Sequence, residues 1–311
     1  MTLHPSFRDL MNRSCLNALS QTSSPVWRWG QSSISVISVL VVLIICVFAG
    51  NLIIHSLHVA REVANRAKCS SNLQQIGKAL LIYSNADPNQ SWPRTIYDGT
   101  GINPTAYTGS SAPDPFGKGG PVANDVTAAM YMLLRAGSIA PLVFVCPSTD
   151  EKPVGSAAWK TLSNFPDGAN LSYSMANPYP SEAAAKVNPQ WNWWGPAPPV
   201  GTAEFALVAD MNPGVPALLS LTAASPAASA GACNSYNHKQ LGQNVLYGDG
   251  HVSWLSTPLC GIMNDNIYTC GTGAPQETKG TGASRAIWGP PVNEWDSVLL
   301  PTAVEAKGAR H

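Results

Sequence analysis

Residues 34–54 read ISVISVLVVLIICVFAGNLII, an unbroken run with no charged side chain. A helix rising 1.5 Å per residue carries this run through about 32 Å, close to the ~30 Å hydrocarbon thickness of a bilayer. Its few polar members, Ser35, Ser38 and Asn51, do not form a polar face. Length and uniform apolarity predict a transmembrane helix over 32–55, preceded by a tail over 1–31. A cleaved signal peptide is the nearest rival, because Val47 and Ala49 satisfy the small-residue rule for cleavage after Ala49. Signal peptides, however, carry an apolar region of about 7–15 residues behind a short basic start. The long run and the long tail ahead of it favour an uncleaved anchor.

The helical pattern continues over 56–84, LHVAREVANRAKCSSNLQQIGKALLIY from residue 57, with no Pro and Gly77 as its single Gly. Val59, Val63, Ala67, Leu73, Ile76, Leu80 and Ile82 recur at spacings near three and four, which predicts one apolar face. Asn85, Asp87 and Pro88 then predict a stop. Over 85–311 the pattern shortens. Residues 86–130 are rich in Gly, Pro, Ser, Asn and Thr and read as irregular, apart from a short helix over 128–136. Apolar runs over 142–146 (LVFVC), 171–175 and 204–209 read as strands. Residues 243–255 read as a hairpin, with Val245, Leu246 and Tyr247 leading into Gly248-Asp249-Gly250 and Val252 and Trp254 returning. Residues 223–232 are small and read as a linker.

Only 12% of the 311 residues are charged, and Lys plus Arg balance Asp plus Glu at 18 each. That argues against a disordered polyelectrolyte and a coiled coil, and basic residues are too sparse for a nucleic-acid groove. The balance is uneven along the chain. Seven basic and two acidic residues lie in 1–84, which leaves 11 basic and 16 acidic in 85–311. A basic end around an apolar run and an acidic body suit a protein tethered at a lipid bilayer.

Of the seven cysteines, Cys46 lies in the apolar run, Cys15 in the tail, and no CxxC pair occurs, which disfavours zinc. Two disulfides are the leading reading, Cys260 with Cys270 around a nine-residue loop and Cys69 on the helix with Cys146 at a strand end, and buried free thiols are the alternative. Both disulfides imply an oxidising exterior. The histidines are too scattered for HExxH, and neither GxSxG nor a Walker A sequence is present. One constellation remains, in which His238, Asp249 and His251 approach through the hairpin while Asp210 closes a strand and Asp265 lies beyond. It admits three readings: hairpin and turn chemistry, a calcium site from Asp249, Asp210 and Asp265, or a His238–Asp249 base pair for a hydrolase. No nucleophile stands out, which counts against the last. Trp191, Trp193 and Trp194 sit in a Pro-rich loop, either as a stacking platform for glycans or peptides or as core cover.

Two stretches, AREVANRAKCSSNLQQIGKALLIY (60–83) and NHKQLGQNVLYGDGHVSWLSTPLCGIMNDNIYT (237–269), resemble the DUF1559 family. Its members pair a prepilin-type N-terminus with a C-terminal "H-X9-DG" element and are similar to type IV pilins and type II secretion pseudopilins. The motif falls on His238, Asp249 and Gly250, although ten residues rather than nine separate the first two. The resemblance implies an α+β, pilin-like fold: a long N-terminal transmembrane helix packed on an antiparallel sheet, with the soluble domain over 85–311. It also implies a structural or secretion-associated role, through contacts with other envelope proteins and without turnover, and pseudopilins lend some weight to calcium. The body is then expected outside the cytoplasm, on a single-pass membrane anchor. The chain departs from the family at the processing site. There Ser33 replaces the Gly before the cut, and Ser38 replaces the Glu that neutralises a neighbour's ammonium in lipid. A Ser supplies no such charge, so usual processing and polymerisation are not expected. His55 likewise replaces the Pro that kinks the family's helix.

Overall fold

The computed structural model describes residues 35–88, 91–104, 112–155, 159–182, 203–271, 286–292 and 295–303. The chain divides into two compact units after Ser56. Helix α1, Val36–Ala86, supplies the described part of the first unit and the opening of the second. Lacking proline, it keeps its hydrogen-bond ladder until Asp87 N donates to Tyr83 O, and Pro88 follows without an N–H.

In the first unit every large apolar side chain from Val36 to Ile54 is exposed, Leu52 by 73%. This is a helix long and apolar enough to cross a membrane, and none of its most apolar window is buried in protein.

In the second unit α1 shares a core with a five-stranded antiparallel sheet. The strands are β1 (Tyr173–Ala176), β2 (Ala206–Asp210), β3 (Gln243–Tyr247), β4 (Val252–Leu255) and β5 (Leu299–Leu300), in the order β4-β3-β2-β1-β5. The domain is therefore α+β. β1 to β4 form a meander, and β5 returns to the free side of β1. Leu73, Ile76, Ala79 and Leu80 of α1 are buried together with Val245 and Leu246 of β3. Gly77 permits that approach, since a Cβ there would stand 3.1 Å from the Leu246 methyl carbons. The buried face differs from the expected one. Val59, Val63, Ala67 and Ile82 are exposed, whereas Cys69 and Asn72 are buried ahead of the apolar stripe. The N-terminal turns of this half-helix thus pack through polar chemistry.

Helix α2, Val126–Arg135, is buried on all but its last residue and starts where the Asp125 carboxylate accepts from Thr127 N and Ala128 N. The β3–β4 hairpin closes as expected through Gly250 at φ +91°, a conformation that favours glycine. Two further expectations fail. Residues 142–146 do not form a strand: Pro141 sets a helical φ and starts the 3-10 turn Pro141–Phe144. The small-residue segment contains a short helix, α3 (Ala227–Ala232).

The segment 145–148 runs along α1 instead of joining the sheet. Asn72 Nδ2 donates to Val145 O (3.0 Å), Cys69 forms a disulfide with Cys146, Asn65 Nδ2 donates to Pro147 O (3.4 Å), and Ser148 Oγ donates to Glu62 Oε2 (2.9 Å). Residues 62, 65, 69 and 72 are spaced three and four apart, so one helix face meets four successive residues of an antiparallel strap.

Candidate functional site

That face delivers Glu62 and Cys69 to a buried cluster. Asp210, the last residue of β2, and His238, in the 3-10 turn Tyr236–His238, complete it, and neither side chain has any exposed surface. The Ser235 hydroxyl caps that turn by accepting from Asn237 N, and the left-handed Lys239 and Gln240 (φ +57° and +59°) turn the chain back towards β3. His238 Nδ1 lies 2.7 Å from Glu62 Oε1, and Nε2 lies 3.4 Å from Asp210 Oδ2 and 3.7 Å from Cys146 Sγ. The Trp254 ring stands edge-on to the imidazole at 5.3 Å and carries the Arg66 guanidinium on its face at 4.2 Å. Together they shield the cluster.

Each charge has partners. Asp210 Oδ1 accepts from Asn237 Nδ2 (3.1 Å), and Oδ2 accepts from Asn244 N (2.7 Å). Burial disfavours the imidazolium of His238, but Asp210 and then Glu62 outweigh it, and the pKa rises above 6.5. Burial likewise disfavours the Glu62 carboxylate, yet hydrogen bonds from His238 and Ser148 prevail and lower its pKa below 4.5. The result is an imidazole ring held between two carboxyl groups at the end of β2.

The expected constellation is rearranged. His238 pairs with Glu62 and Asp210 and not with Asp249. Asp249 lies beyond the far end of β3, where its exposed carboxylate accepts from the backbone N and ring Nδ1 of His251, and that ring stacks on Tyr247. Asp249 and Gly250 are therefore turn residues. Asp265 is elsewhere again, accepting from Ser297 N at 3.1 Å. The three aspartates proposed for calcium are thus dispersed, because strand β3 and the turn after β4 carry them to different places. A six- to eight-oxygen cage does not form from them.

The cysteines divide similarly. Cys69 and Cys146 are disulfide-bonded with Cα atoms 5.5 Å apart, a spacing ordinary for such bridges. Cys260 and Cys270 are not bonded to each other, contrary to expectation. The loop after Cys260 closes early, through the Leu259–Asn266 bridge and Gly261 N to Asp265 O, and Cys270 runs on to pair with Ala286. Their thiols turn to carbonyls instead, Cys260 to Pro258 O and Cys270 to Trp288 O. Burial pushes Cys260 up to about 12 and Cys270 up to about 11, so both stay protonated at neutral pH. Trp191, Trp193 and Trp194 lie outside the described residues.

Sequence reasoning missed Glu62 altogether. The available signal was its position as the only acidic residue between Asp9 and Asp87, seven residues before Cys69 on one helix face. Compared with protein-family models, characterised proteins and solved structures, the chain matches none.

Proposed function

We propose that this chain is a single-pass envelope protein of pilin-like build. Residues 34–54 lie in the bilayer, the acidic body stands outside the cytoplasm, and it acts by contact with other envelope or secretion proteins. The observation that carries the reading is the exposed apolar half of α1 running on into a half built into a folded core. Apolar side chains in such number are stable in lipid and costly in water, at about 1.5–3 kcal/mol each for Val, Leu, Ile or Phe. The Cys69–Cys146 disulfide supports an oxidising compartment for the body. The strap of residues 145–148 suits a protein that works by contact, because it fixes the body's own stretch of α1 within the fold.

Ser33 and Ser38 in place of the processing-site Gly and Glu favour an anchor that is neither trimmed nor polymerised. Mass and N-terminal sequencing of the membrane-extracted protein test this. The expected mature chain retains residues ahead of Ile34. A methylated Ile34 at its start would make it a filament subunit, and a start at Gly50 would make it a secreted protein.

A further inference from the structure

The cluster beside α1 has a composition that ion pairing alone does not call for. The ligand atoms of Cys69, Cys146, Asp210 and His238 all lie within 4.8 Å of one another, and all four residues are buried. We propose that these four side chains form a zinc site that fills when the Cys69–Cys146 disulfide is reduced.

Each donor is a type that zinc accepts, and together they number the four of a tetrahedral site: two thiolates, one imidazole and one carboxylate. With Zn–S near 2.3 Å and Zn–N and Zn–O near 2.0–2.1 Å, tetrahedral angles place nitrogen ~3.6 Å from sulfur and ~3.3 Å from oxygen. The separations here are 3.7 Å from His238 Nε2 to Cys146 Sγ and 3.4 Å from Nε2 to Asp210 Oδ2. A tetrahedral centre needs its two sulfurs ~3.8 Å apart, which opening the S–S bond allows. The orientation of His238 also fits. Its Nδ1 faces Glu62 Oε1 at 2.7 Å, so Nε2 is the nitrogen turned to the other donors, and carboxylates commonly hold the far nitrogen of a metal-bound histidine. Asp210 is steadied by Asn237 and Asn244. The site draws on residues 69, 146, 210 and 238, one from each of four segments, so no short spacing motif announces it.

The exchange balances. A dithiol reductant delivers two electrons and two protons and becomes a disulfide, while the S–S bond opens to two thiols. Zn2+ then binds both sulfurs, His238 Nε2 and Asp210, and releases to solvent the two thiol protons together with any proton carried on Nε2. The same residues thereby link α1 to the strap in both redox states, by a covalent bond or through the metal.

The test uses full-length protein in detergent, reduced anaerobically with a phosphine, which becomes its oxide with oxygen from water. Cobalt(II) is titrated in as the spectroscopic probe, then displaced by zinc. The expected result is one cobalt per chain with the visible bands of a tetrahedral thiolate site, their loss on adding zinc, and no bands from unreduced protein. Cys69→Ser and Cys146→Ser are expected to abolish the bands. Because those variants can also fail to fold, alkylation of the reduced wild type is mapped by mass spectrometry. Zinc is expected to slow modification of Cys69 and Cys146 and to leave Cys233, Cys260 and Cys270 unchanged. Absence of cobalt bands in reduced protein, folded or unfolded, or protection falling on Cys233, Cys260 or Cys270 instead, would overturn the proposal.

Discussion

His238 has a carboxylate at each ring nitrogen and no access to water, so its charge state is tied to the fold. Its pKa is raised above 6.5, so its contribution is complete below 6.5 and is lost as pH climbs through the folded value. Glu62 is lowered below 4.5, so its contribution is complete above 4.5 and is lost as pH falls through the folded value. For the disulfide-bonded protein both are therefore complete between 4.5 and 6.5. Urea midpoints measured against pH are expected to peak in that window and decline on either side. In His238→Gln the alkaline decline should flatten, and a wild-type midpoint that climbs above pH 6.5 would contradict the assignment. Asp210 and Asp249 make a second contrast. Removing wholly buried Asp210 by Asp210→Ala leaves His238 and two amides short of a partner, at a cost of about 3–5 kcal/mol. Asp249→Ala loses an exposed pair worth ~1 kcal/mol or less. Denaturant unfolding of both variants measures the difference. His238 and Asp210 were legible in the sequence as residues with chemistry, but their partners were not. Glu62 and His238 are 176 residues apart, and no local pattern encodes so distant a contact.

The elements that could be read locally were read well. The β3–β4 hairpin is written in its alternation and its Gly-Asp-Gly turn, and the end of α1 in Asp87-Pro88. Residues 142–146 look like a strand because they are apolar and bounded by turn residues, yet Pro141 and the helix beside them settle the outcome. Val59 and Val63 fit a helical stripe by spacing, but the strap takes the neighbouring face through Glu62, Asn65, Cys69 and Asn72. The disulfide closes a separation of 77 residues, and removing it by Cys69→Ser is expected to cost about 2–5 kcal/mol in denaturant unfolding. Leu246→Ala tests the other side of the helix. Leu246 is fully buried on β3 against Gly77, and its loss is expected to cost about 2–5 kcal/mol with the disulfide intact. A value under 1 kcal/mol would mean that α1 does not depend on that contact.

For the molecule as a whole, the apolar run, the acidic body and the helix joining them were all visible in the sequence, because a span of that length needs only composition to announce itself. The three-dimensional arrangement adds how firmly the joining helix is held, by a disulfide, an ion-paired histidine and a shared core. The most direct test is alkaline carbonate washing of membranes that carry the full-length chain, with supernatant and pellet probed for the body. Retention of the whole protein in the pellet, with release only by detergent, is the expected result. Full-length protein in the carbonate supernatant would contradict the account, since peripheral contact and not solvation of α1 by lipid would then hold it at the membrane.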